Sequence, residues 1–163
     1  MRAAIRAHLD SPQVARVVYG SIIGLALVVG LEAHPPRTRF VIGSLIATAL
    51  AVALAELYSD ILGGEVRARR RLARGEVRHM TVDAAAVAFG VAFPAVFFIL
   101  AAAGALEQHT AFTVAKWTGL GLIGFYGFAA SRLAGQSTTG ALVRGIGIAL
   151  VGAFLIAVKA VLH

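Results

Sequence analysis

Glu56 and Asp60 are the two side chains whose type and spacing could do chemistry. They stand four residues apart at the end of an apolar run, Phe40 to Ala55. Four residues is about one helical turn, so both carboxylates share a helix face. Two close carboxylates suit a hard cation, or raise one another's pKa and hold a proton. The competing reading is a pair of interfacial acids matched by nearby arginines. At 1.5 Å per residue Glu56 lies about 25 Å along a helix from Arg39. That depth is the inner edge of a bilayer's hydrocarbon, with Asp60 at the interface. Carboxylates inside a membrane are usually kept for a function, so Glu56 and Asp60 are the candidate metal ligands.

Other chemistry finds little support. The chain has no cysteine, which excludes disulfides, thiolate metal sites and cysteine nucleophiles. His34, His79 and His109 are scattered among loops, and none has a partner at ligand spacing. There is no glycine-rich phosphate loop followed by lysine and no Ser-His-Asp set. The expectation is a protein that is not an enzyme and binds no resident cofactor.

The carboxylates need a frame, and the composition says which kind. The 163 residues are 59% hydrophobic, with a mean hydropathy of +0.83. Soluble domains hold roughly 45–50% apolar residues. The net charge of +7 sits in short segments between apolar runs, as in membrane loops, which argues against nucleic-acid binding. Five runs reach the roughly 20 residues that a span needs: about 14–31, 40–62, 82–106, 111–133 and 141–162. The prediction is an all-α polytopic membrane protein, one domain over 1–163, built as a compact bundle of five transmembrane helices. Residues 1–13 form a cytoplasmic N-terminal segment. Within it Arg2 to Leu9 can lie on the membrane surface, and Asp10-Ser11-Pro12 reads as a helix start.

Local signals place the contacts. Gly20 and Gly24 form a G-x-x-x-G pair that lets another helix approach. Ala47, Ala51 and Ala55 make a second smooth face. Pro94 should kink the third span near Gly90. The second span is expected to break at Gly63-Gly64 and pass into a basic cytoplasmic loop over 63–81. There Arg67, Arg69, Arg70, Arg71, Arg74 and Arg78 mark topology and meet anionic lipid headgroups. Glu65 and Arg69 are spaced as a surface helix pair. Arg144 and Lys159 lie near the ends of the last span and can snorkel. Eleven basic residues fall on the N-terminal side: Arg2, Arg6, Arg16, the six loop arginines, Arg132 and Arg144. Four fall on the other: Arg37, Arg39, Lys116 and Lys159. The positive-inside rule then puts the N-terminus in the cytoplasm and the C-terminus outside. The expected location is a prokaryotic plasma membrane.

The order of these features resembles the vacuolar iron transporter family and its prokaryotic relatives. The resemblance rests on Val18-Tyr19-Gly20-Ser21-Ile22-Ile23-Gly24-Leu25 in the first span and Ala55-Glu56-Leu57-Tyr58-Ser59 closing the second. It also rests on Pro94 in the third and on Ser131-Arg132-Leu133-Ala134-Gly135-Gln136-Ser137 near the end. It implies a homodimer that exchanges ferrous iron or manganese for protons, with the path between the first spans of two subunits and Glu56 in it. The family's first-span aspartate corresponds to Ile23 here. Its glutamate-rich cytosolic domain corresponds to the short arginine segment. Two functions follow as expectations. One is a small transporter of a divalent metal (Fe2+ or Mn2+) or of protons, with Glu56 and Asp60 in the path. The alternative is a non-transporting accessory subunit of a larger membrane assembly. A third reading is an anion or proton channel with the arginines as an attracting ring.

Overall fold

The computed structural model describes residues 13–162. The surface segment Arg2–Leu9, the Asp10-Ser11-Pro12 helix start and the side chain of Lys159 lie outside the described residues. Every regular element among the described residues is a helix: α1 Gln13–Glu32, α2 Thr38–Ala68, α3 Arg74–Ala92, α4 Ala95–Ala102, α5 Gln108–Leu133 and α6 Thr138–Leu162. Helices α1 and α2 are long and apolar enough to cross a membrane. The α3–α4 pair also passes as one span, bent by 48°. The bend sits at Phe93-Pro94 rather than at Gly90, because proline has no N–H to give to the ladder. Pro94 instead opens α4, where its carbonyl accepts from the Phe97 amide at 3.2 Å.

Helix α1 is central and packs against α3, α5 and α6, while α2 leans on α3 and α4. Its closest contact is with α3 and is made by backbone. A Cβ on Gly20 would stand 2.1 Å from the Val87 carbonyl oxygen, and one on Gly90 would stand 2.5 Å from that of Val17. Gly24 meets Val91 in the same way. Residue numbers rise together along this contact, so α1 and α3 run parallel. Gly20 and Gly24 therefore face a neighbouring helix, and Gly90 supplies the matching gap from the other side.

This reciprocity reveals an internal repeat. Val14, Val17, Gly20, Leu25 and Val28 are buried, and so are Ala84, Val87, Gly90, Ala95 and Phe98, each 70 positions later. The second helices follow the same spacing: Val41, Leu45 and Ala49 are buried, as are Ala111, Ala115 and Gly119. Helices α2 and α5 begin at Thr38 and Gln108, also 70 apart. There the two units touch, with Thr38 Oγ1 donating to Gln108 Oε1 at 3.1 Å. The fold is two parallel copies of a two-helix unit, related by a pseudo-twofold axis, with α6 added to the second. One packed cluster joins both copies through Val28, Val41, Leu45, Phe98 and Phe112. The last two rings meet edge to face at 4.8 Å.

The expected break at Gly63-Gly64 does not occur. Helix α2 runs through both glycines to Ala68 and stops where Arg69 turns left-handed, at φ 51°. Gly64 serves close packing: a Cβ there would meet Leu72 at 2.9 Å and Met80 at 3.1 Å. Residues 63–81 are thus a helical hairpin and not a loop, since α3 already starts at Arg74. The spaced pair Glu65 and Arg69 forms no ion pair, because Arg69 has left the helix.

Gly20→Ala is expected to cost about 1–3 kcal/mol through backbone overlap. Gly43→Ala, where a Cβ meets nothing, should be neutral or stabilise by up to about 1 kcal/mol. Thermal unfolding in detergent, followed by circular dichroism, compares the two.

Candidate functional site

The candidate carboxylates lie near one end of the bundle, and an arginine stands between them. Arg16 enters from the first turn of α1. It forms an ion pair with Glu56 and donates through its other terminal nitrogen to Asp60 Oδ2 at 2.9 Å. The helical turn that aligns Glu56 with Asp60 spaces them to take the two arms of one planar guanidinium. All three side chains are about one-quarter exposed. One cation between two carboxylates leaves one negative charge in excess.

An open cavity of about 670 Å³ adjoins the cluster, bounded by Arg16, Asp60, Arg67, His79 and Asp83, with Leu72 and Met80 as an apolar wall. No group of three or more histidine or carboxylate side chains is assembled there, or elsewhere among the described residues. Glu56 and Asp60 are brought together, and it is a guanidinium that they hold.

The rest of the hairpin is closed by its own charges. Arg70 donates to both carboxylate oxygens of Glu76 at 3.0 and 3.1 Å. Glu76 also accepts the Ala73 amide at 2.7 Å. Ala73 is extended and precedes α3, so the glutamate reaches back from the first turn to satisfy a helix-start donor. The Arg70 hydrogen bond and, after it, the Ala73 amide hold the Glu76 carboxyl below its ordinary range. The same bond raises Arg70. The remaining loop arginines, Arg67, Arg69, Arg71, Arg74 and Arg78, are exposed at this end.

At the opposite end Lys116 Nζ meets both oxygens of Glu32 at 2.7 and 2.8 Å. Gln108 there donates to the Pro36 carbonyl at 2.6 Å, which ties the first loop to α5. Each end of the bundle is thus fastened by a charged pair from different helices.

Arg16, Glu32 and Lys116 were missed as partners in the sequence. Their spacings, 44 residues for Arg16–Asp60 and 84 for Lys116–Glu32, carry no helical period. The available signal was the end of the bundle: each pair has opposite charges near the same end of it. The pseudo-twofold copy sharpens the point. Arg16, Glu56 and Asp60 correspond to Ala86, Tyr126 and Ala130, so only one unit carries the cluster.

Arg16→Gln is expected to cost about 1–3 kcal/mol, since it strands two partly buried carboxylates. Adding Glu56→Gln and Asp60→Asn should recover most of that loss, which unfolding midpoints would read. For Glu76 the folded pKa is depressed. Its contribution is therefore full above the ordinary glutamate value of about 4.3 and is lost as pH falls through the lower folded one. The Ala73 amide resonance should shift in that acid window and stay flat in Glu76→Gln. No family model, curated protein or solved structure matches the chain.

Proposed function

We propose that the chain is an integral membrane protein of five spans, with α3 and α4 together forming the third. In this reading its N-terminus is cytoplasmic, its C-terminus is outside, and it serves as a non-transporting accessory component of a membrane assembly. The apolar lengths of α1, α2 and the bent α3–α4 pair support the membrane reading. Helices α5 and α6, of 26 and 25 residues, complete the count. The excess of arginine at the hairpin end supports the orientation. The exposed arginines suit anionic headgroups at the inner surface, each worth about 1 kcal/mol there.

The observation that carries the accessory reading is Arg16. A metal binds a carboxylate pair most readily when no fixed cation already holds it. Here a tethered guanidinium fills it from within the same chain. A metal ion would have to displace this cation and leave it partly buried without a counter-charge, which costs several kcal/mol. The triad then acts as a structural fastener between α1 and α2, which otherwise touch little.

A second reading has its own support. Two carboxylates against one arginine leave a net negative charge beside a cavity of about 670 Å³. That arrangement suits a proton or divalent cation that competes with Arg16. Transport of iron or manganese, which the resemblance to vacuolar iron transporters implies, would use it.

Uptake of Fe2+ and Mn2+ into proteoliposomes separates the two. The accessory reading expects no uptake above protein-free vesicles. Metal-dependent uptake that Glu56→Ala abolishes would replace it with the transport reading.

A further inference from the structure

We propose that the outward face of α2 is the contact surface for a second copy of this chain, with the two α2 helices side by side and parallel. The inference rests on the membrane reading above.

The internal repeat supplies the first argument. In the second unit, α6 covers α5 and the adjacent part of α1. Gly145 fits against Gly124 and Phe128, and Ile148 packs on the cluster of Leu25, Val29 and Ile123. The equivalent surface of the first unit has no such helix. Val29 is 4% exposed, whereas Ile99, its counterpart, is 52% exposed. Leu54 and Tyr58 stand where Gly124 and Phe128 stand in α5, and they are 66% and 70% exposed. One half of a pseudo-symmetric bundle is covered by a helix and the matching half is open.

The second argument is the shape of the open face. Its outer part mixes small and large side chains, with Ala47 and Ala51 exposed beside Leu50 and Phe40, so the alanines leave gaps that a neighbour's large side chains can enter. Its inner part is large, with Leu54, Tyr58, Leu62 and Val66 exposed. It also continues past Asp60 into the hairpin, beyond the depth at which lipid tails would cover it.

Charge selects the occupant. Glu65 and Arg67 flank Val66, about 100° to either side on the helix. Neither has an ion-pair or hydrogen-bond partner among the described residues. A twofold axis parallel to α2 brings Glu65 of one copy beside Arg67 of the other, and the reverse. The interface is isologous, and each flanking charge meets its opposite. A helix without an acid and a base at this level would leave both charges unmatched.

The absence of native cysteine makes the test direct. Ala51→Cys, Leu54→Cys and, as a control on α6, Val143→Cys are oxidised in carbonate-washed membranes. The α2 cysteines should give a disulfide-linked dimer and Val143→Cys should not. In the Leu54→Cys background, Glu65→Arg or Arg67→Glu alone should lower the dimer yield several-fold, and the two together should restore it. No dimer from either α2 cysteine, equal dimer from Val143→Cys, or failure of the double exchange to restore the yield would overturn the proposal. A chain washed out of the membrane by carbonate would overturn the membrane reading and this inference with it. A chain retained without cross-linking would overturn this inference alone.

Discussion

The close approach of α1 and α3 is the constraint on which the rest of the bundle depends. In lipid the solvent is as apolar as leucine, so helix association relies on packing and not on escape from water. Gly20, Gly24 and Gly90 let two backbones touch where any side chain would hold them apart. Once α1 and α3 are fixed as a parallel central pair, α2 and α5 take equivalent places on opposite sides of it. The cluster that packs Val28, Val41 and Leu45 of the first unit on Phe98 and Phe112 of the second then joins the two units.

The charged contacts follow from this frame. Arg16 can bridge to α2 because it lies in the first turn of α1, level with Glu56 and Asp60. Lys116 reaches Glu32 at the other end for a matching reason. Such partly exposed pairs add modest stability, but they resist sliding of one helix along another. A one-residue slip of α2 would rotate its carboxylates about 100° away from Arg16. The hydrogen bond between Thr38 and Gln108 makes a similar check where the two units meet.

Much of the frame was legible in the sequence. Four of the five expected apolar runs fall within single helices, while the third, 82–106, crosses the α3–α4 bend and runs past Ala102; the G-x-x-x-G pair and Pro94 lie at a helix crossing and a helix bend. What was not legible has specific physical causes. Gly63-Gly64 signals a break by propensity, yet the space that Leu72 and Met80 need at Gly64 outweighs the cost of glycine within a helix. The repeat was hidden because equivalent positions mostly share burial and not identity: only pairs such as Gly20 with Gly90 and Val17 with Val87 are identical, whereas Leu25 pairs with Ala95 and Leu45 with Ala115. The Arg16 contact was hidden because a residue counted for topology is also the counter-ion of acids in another helix, 44 positions away at Asp60. Fold was therefore easier to read than site, since spans leave a local hydropathy signal and a long-range ion pair does not.

The repeat has a consequence for how such a bundle can arise. A unit of two antiparallel helices begins and ends on the same side of a bilayer. Copying it in tandem returns the chain to its starting side, so neither copy has to reverse its insertion. Both copies can keep the same inner and outer loops. Two units within one chain need not carry the same residues, as Arg16, Glu56 and Asp60 set against Ala86, Tyr126 and Ala130 show. A third hairpin would leave the orientation of the first two undisturbed, whereas a lone helix such as α6 runs to the opposite end of the bundle.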